Sequence, residues 1–267
     1  MTLPSSGAIS LNQIHVEAGG SSASQATLND TDIRSIINKS SGASSSFSEY
    51  YGVSASAPAA TFLNTLVTGG DGFPNGSLTL PSGNNKLIVC CMELAGIQGI
   101  TQNTYINLGG TAMTLAIRNH DLHPVSTVSQ FKWQTAIYYI QTSLSGSVSI
   151  AGTGGSGRSQ LDFYQITGHN SITPYTSVKA QNTNSDNVAS ITVNEQYNGL
   201  TVLTAVSYDG TITWSNTDTL RNAKLESATS HVSATNANAS AGNTTYTYTN
   251  TTDTSAQTIT MCAASWK

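Results

Sequence analysis

From residue 61 onward the chain is a succession of short runs rich in Thr, Val, Ile and Tyr, separated by Gly, Pro, Asn and Asp. β-branched and aromatic side chains pack well on a pleated surface, and turn residues at this spacing leave no room for long helices. The runs include "TFLNTLVT", "GSLTLP", "KLIVCCMEL", "KWQTAIYYIQ", "GSVSIAG", "QLDFYQITG", "ASITVNEQ", "LTVLTAVSYDG", "ATSHVSATNA", "TTYTYTNT" and "QTITMCAASWK". "KLIVCCMEL" is apolar throughout, the pattern of a central strand covered on both faces. "TYINLGGTAMTLAIRN" breaks at Gly109–Gly110 and predicts two strands. About a dozen strands at this spacing suit a sandwich or jelly roll. The expected fold is therefore mainly β: a jelly-roll-like antiparallel β-sandwich over 61–267, preceded by a small N-terminal segment of short helices.

Residues 1–53 read differently. "SLNQIHVEAGG" places Ser10 three residues before Gln13, a capping box, and Gly19 and Gly20 can end the helix. "NDTDIRSIINKSSG" repeats the plan, with Asp30 or Thr31 as cap and Gly42 behind it. "SFSEYYG" pairs Ser46 with Glu49 and closes on Gly52. Helices this short are marginal alone, and so few apolar anchors predict a segment completed by packing on something else. Residues 54–60, within "VSASAPAAT", read as a linker of small residues.

Only 9% of the 267 residues are charged and the net charge is −4, so the surface is built largely from hydroxyls and amides. An average soluble domain carries roughly 25% charge. With no basic patch to neutralise phosphates, nucleic acid is not an expected partner. "MTLPSSGAIS" lacks the charged and apolar regions of a signal peptide, and no apolar run is long enough for a membrane span. The expectation is a protein made in a cytoplasm and soluble until used.

The chemical motifs read as plain structure. "GTGGSGRS", Gly152 to Ser159, approaches a phosphate loop but has Arg158 where lysine is needed and a strand-like run behind it, so it predicts a glycine-rich turn between antiparallel strands. His120 and His123 in "HDLH" have no evident third ligand, and "GGDGFPNG" around Asp71 reads as a loop before it reads as a calcium site. Cys90, Cys91 and Cys262 form no disulfide framework; Cys90 and Cys91 should point to opposite faces of one strand as buried hydrophobes. No metal, no cofactor and no catalytic set is expected, and the chain reads as not an enzyme. Trp133, Trp214, Tyr246 and Tyr248 are candidates for stacking on sugar rings, weighed against core packing and cross-strand pairing.

"LPSSGAISLNQI", "ATLNDTDIRSI" and "SGASSSFSEYYG" together resemble an N-terminal attachment segment of tailed-bacteriophage virion structural proteins. The likeness covers residues 3–52: a small-Gly-x-Ile-Ser-Leu start and a Ser-aromatic-x-x-Tyr-Gly close, departing at Ser46 and Phe47, where Ile-Ser is usual. "LTLPSGNNKLIVCCMEL", "LGGTAMTLAIRN" and the closing "AASWK" resemble, more loosely, a β-sandwich family of phage and microbial surface proteins. These resemblances imply a virion protein of the tail fibre or baseplate, docking through its N-terminus on other phage structural proteins and displaying the sandwich toward a host surface glycan. Ile9, Leu11, Ile14, Ile33, Ile36, Ile37, Phe47, Tyr50 and Tyr51 are the docking candidates. A homo-oligomer, in particular a homotrimer, is expected, because a short appendage gains strength from burial between subunits. The alternatives are a capsid decoration (cement) protein and a carbohydrate-binding module.

Overall fold

The structure is a computed structural model that describes residues 3–37, 39, 42–51, 58–68, 72–98, 104–122, 132–153, 156–169, 171–182, 187–196, 199–208, 210, 212–217, 219–225, 229–237, 242–251 and 259–267. It is mainly β, with seventeen strands in four sheets, two short α-helices and one 3-10 turn among these residues. Strand pairing is antiparallel in every sheet. The sandwich architecture is the one the sequence leads to.

The first sheet orders β1 (Ala59–Thr68), β9 (Ser156–Thr167), β3 (Lys86–Gln98), β7 (Lys132–Thr142) and β6 (Thr114–Leu122). It is covered by a sheet of β2 (Gly76–Leu80), β8 (Gly146–Thr153), β4 (Tyr105–Leu108) and β5 (Thr111–Ala112). Between them lies a core that includes Leu78, Ile88, Met92, Ile106, Ile150 and Phe163. The third sheet orders β10 (Thr176–Asn182), β17 (Ile259–Trp266), β12 (Leu200–Tyr208), β15 (Thr229–Ala237) and β14 (Thr219–Leu225). It packs on β11 (Val188–Glu195), β16 (Gly242–Asn250) and β13 (Ile212–Trp214) around Ile191, Leu203, Val232, Tyr246, Tyr248 and Met261.

The two stacks share one plan. Taking β1, β2, β3, β4, β6, β7, β8 and β9 in chain order and matching them to β10 through β17 turns the first stack's sheet orders into the second's, strand for strand. The hairpin between β4 and β5 turns through Gly109 and Gly110 at φ 58 and 80, and its counterpart after β13 turns through Asn216 at φ 60. These are left-handed conformations, which Gly and Asn adopt at least cost.

The stacks pack through their five-stranded sheets. Alternation along β3 sends Ile88, Cys90, Met92 and Leu94 into the first core. Leu87, Val89 and Cys91 go the other way, into a layer shared with Leu200, Val202, Cys262, Ala264 and Trp266. Both faces of both central sheets are thus covered, which is why "KLIVCCMEL" shows no alternation. Fully burying each such aliphatic side chain contributes about 1.5–3 kcal/mol. The segment read as one sandwich therefore holds two sheet pairs glued into four layers. The outermost layers present hydroxyls to solvent, paired across strands as in Thr192 with Thr245 at 2.9 Å and Ser190 with Thr247 at 3.1 Å.

Three sequence expectations need correction. The Gly152–Ser159 motif is not a hairpin turn: β8 and β9 lie in different sheets, and the connection carries the chain from one layer to the next. A strand does follow it, with Arg158 paired to Ala95. Asp30 holds the cap position of the second helix but makes no cap bond; its carboxylate turns back to accept from Thr27 N at 2.8 Å and Thr27 Oγ1 at 2.7 Å. Residues 59–60 of the expected linker already belong to β1. Residues 54–57, Gly52, Asp71 and His123 lie outside the described residues.

Candidate functional site

The arm closes on itself. α1 (Leu11–Glu17) begins with the expected capping box: Gln13 N donates to Ser10 Oγ at 3.2 Å and Ser10 N donates to Gln13 Oε1 at 2.7 Å. α2 (Thr31–Ser35) follows, and Phe47–Tyr50 forms a 3-10 turn in which Ser46 N donates to Glu49 Oε2 at 2.8 Å. Lys39 sits 2.5 Å from the other Glu49 oxygen, and that contact first, then Ser46, holds the Glu49 carboxyl below its usual range.

Leu3, Ile14, Ala18, Ile33 and Tyr50 form a small buried core, with Ile9, Leu11, Ile36 and Ile37 packed against it. Polar bonds tie the loops around it: Ala23 N donates to Asn12 Oδ1 at 2.7 Å, and the buried Arg34 guanidinium donates to Ala43 O. The expectation of a segment without a core of its own thus meets a small closed one, because each short element brings one large apolar side chain to the same point. The body reaches it through the last residue, whose Lys267 Nζ donates to Ala18 O at 2.7 Å.

This placement sorts the docking candidates. Ile14, Ile33 and Tyr50 are fully buried and unavailable to a partner. Phe47 at 40% and Tyr51 at 36% exposure remain on the surface, at the start of the 3-10 turn and at its C-cap, with Tyr51 OH donating to Gly7 O at 2.6 Å. Ile9, Leu11, Ile36 and Ile37 are half-buried and border the core.

The sugar-stacking candidates fare differently. Trp133, Tyr246 and Tyr248 are buried and offer no ring face to a ligand. Trp133 packs with Ala95 and Val206 between the stacks. Half-buried Trp214 stands edge-on to Tyr248 at 5.4 Å, filling the second core. Alternation along "TYTYT" did place both tyrosines on one face, but that face is inward. In the body, Tyr105 at 47% exposure is the outward first residue of β4, and Tyr175 at 57% lies just before β10.

Several ionisable groups of the body are buried in the layer between the stacks. Beyond the apolar part of that layer stand Glu93, Asp162 and His231, all without exposed surface. Thr204 donates to Glu93 Oε1. Asp162 accepts from Thr65 Oγ1 at 2.5 Å, from Gln160 Nε2 at 2.9 Å and from Ser233 Oγ at 2.5 Å. Burial, and then the charge of Asp162, raises the Glu93 carboxyl well above its ordinary range. Burial pushes His231 down to about 3, with the Glu93 main chain opposing and the Arg158 charge adding to the shift. His231 is therefore neutral at pH 7, and the Glu93 carboxyl is biased toward its protonated form. No grouping of three metal-binding side chains occurs among the described residues. The three cysteines are free and buried, and burial raises all three thiols, Cys262 to about 12. A thiol held protonated is a poor nucleophile. No described helix is long and apolar enough to cross a membrane. Comparison with family models, curated proteins and solved structures gave no match.

Proposed function

We propose that this chain is a non-enzymatic structural protein of a tailed-phage virion, attached through its N-terminal arm at the tail fibre or baseplate, with the sandwich body projecting outward. The observation that carries this reading is the arm. The three-part pattern that resembles a virion attachment segment folds around one small core and leaves Phe47 and Tyr51 exposed. Aromatic side chains are enriched at protein interfaces. The body supports the reading by its chemistry: its buried carboxyl, imidazole and thiol groups sit between packed sheets where no substrate reaches them. Its outer faces carry hydroxyls that meet a hydrated surface without long-range fields.

The test is to delete residues 1–52 and purify particles assembled with the truncated chain. The body should accumulate as a folded protein and be missing from the particles; truncated chain found in particles at the wild-type level overturns the proposal. Quantitative mass spectrometry of the same particles decides its place: tens of copies fit the tail, and hundreds assign it to the capsid. Sedimentation of the full chain tests the expected homotrimer.

A further inference from the structure

The outermost sheet of the first stack carries no ionisable group of the acidic or basic kind: none of β2, β8, β4 or β5 contains Asp, Glu, Lys, Arg or His. Alternation turns Leu78, Ile106 and Ile150 into the core and sends Ser77, Ser149, Ala151, Tyr105 and Asn107 to the outer face. Register then sets Ser77 opposite Ser149, Asn107 opposite both Ala151 and Ala112, and Tyr105 opposite Thr153. Diagonal cross-strand neighbours stand about 7–8 Å apart, within reach of an aromatic side chain. The exposed Tyr105 ring therefore borders a floor of small residues, Ala151 and Ala112 with Ser149 beyond. The matching sheet of the second stack is filled differently. There Ser190 and Thr247 bond to each other at 3.1 Å, Thr192 and Thr245 at 2.9 Å, and Thr213 stands opposite Thr249. In the first stack the side chains of Ser77, Ser149 and Asn107 make no hydrogen bond among the described residues.

We infer that this outer face binds a neutral glycan chain, with Tyr105 as the stacking platform and Asn107, Ser149 and Ser77 as the groups that meet sugar hydroxyls. The C–H face of a sugar ring packs on an exposed aromatic ring, and the tyrosine keeps a polar tip beside it. Hydroxyl and amide side chains both donate and accept, as sugar hydroxyls do. The absence of charge selects the class of chain. An anionic or cationic polymer would lose solvation here without meeting a counter-charge, whereas a neutral one has no charge to desolvate. The face does not suit a second copy of the protein, since one ring on a floor of small and polar residues lacks the apolar centre that joins subunits. The assignment rests on the reading of the body as the outward part of a virion protein. In keeping with that reading, Lys267 reaches the arm from the end of β17, in the second stack, and the glycan face is the far layer of the first.

The experiment applies the purified full chain to a printed array of neutral and anionic bacterial-surface glycans and measures each hit by titration calorimetry. Binding is expected to neutral glycans only. Tyr105→Ala should weaken it at least about tenfold, and Tyr105→Phe, which keeps the ring, should hold it within about twofold. Tyr175→Ala, at the exposed tyrosine outside this sheet, should leave it unchanged. Tyr105 is half exposed, so its truncation should leave the melting temperature in place. Binding to no glycan, equal binding by Tyr105→Ala, a preference for anionic glycans, or an oligomer that Tyr105→Ala dissociates overturns the assignment. Because the glycan is read on the isolated chain, the result stands apart from attachment. Particles carrying Tyr105→Ala at the wild-type copy number support a face separate from the arm, and particles that lose the chain with this substitution overturn that separation.

Discussion

Glu93 is the residue on which stability and pH meet most plainly. Its carboxyl is raised by burial and by Asp162, so the folded chain holds a proton that the unfolded chain releases near 4.5. A group bound more tightly by the folded state loses stability as pH rises: the loss begins above the unfolded value and grows until the folded value is passed. Glu93→Gln removes the ionisation while keeping the size and an acceptor for Thr204. Urea denaturation should therefore show the variant gaining on the wild type from pH 5 to pH 8, by at most about 1.4 kcal/mol per pH unit. An offset that is the same at both pH values contradicts this account. His231 has the opposite sign. Its folded value near 3 lies below the unfolded one, so it withdraws stability as pH falls below 6.5.

At the scale of elements, the arm is held by small local devices, and each can be removed singly. Ser10→Ala deletes the acceptor for Gln13 N, which costs about 1 kcal/mol in a short helix. Tyr50→Ala empties the middle of the arm core, and truncating a fully buried aromatic costs about 3–5 kcal/mol. Limited proteolysis within residues 3–51 should quicken several-fold for the first and far more for the second, with the body's melting temperature unchanged. Equal cleavage of all three chains contradicts the arm core. The cap sites at Ser10 and Ser46 were legible because a capping box is a local pattern; Asp30, one of two readings for the third, holds the cap position without a cap bond, because Thr27 takes its carboxylate. Strands rich in Ile, Val and Tyr were equally plain. β10 ("TSVKAQN"), β13 ("ITW") and β14 ("TLRNAKL") were not foreseen: one is mostly polar, one very short, and one written in helix-favouring residues, so pairing with β17, β16 and β15 decides their state.

At the scale of the whole molecule, the repeated plan was hidden, since it lies in the order of the strands within the sheets and not in a run of matching residues. β3 and its counterpart β12 each turn a buried row to the shared layer, Leu87, Val89 and Cys91 in one and Leu200 and Val202 in the other. Sugar-facing candidates failed for a related reason: strand alternation names which residues share a face but not which face is covered, and here both faces of the central sheets are. The shared layer also ties the halves energetically. A chain of residues 58–169 alone uncovers Leu87, Val89, Ile137 and Ile166 and should aggregate or stay unfolded, whereas calorimetry of the intact body should give one transition. A stable, soluble, monomeric half contradicts the shared layer. The central claim concerns orientation: the arm meets the particle and the body points away. It is tested most directly by inserting an electron-dense tag after Tyr208, at the end of β12 away from Trp266 and the arm contact at Lys267, and imaging purified particles. The account predicts label at the tail, set outward from the attachment point; label spread evenly over the capsid, or absent from particles altogether, contradicts it.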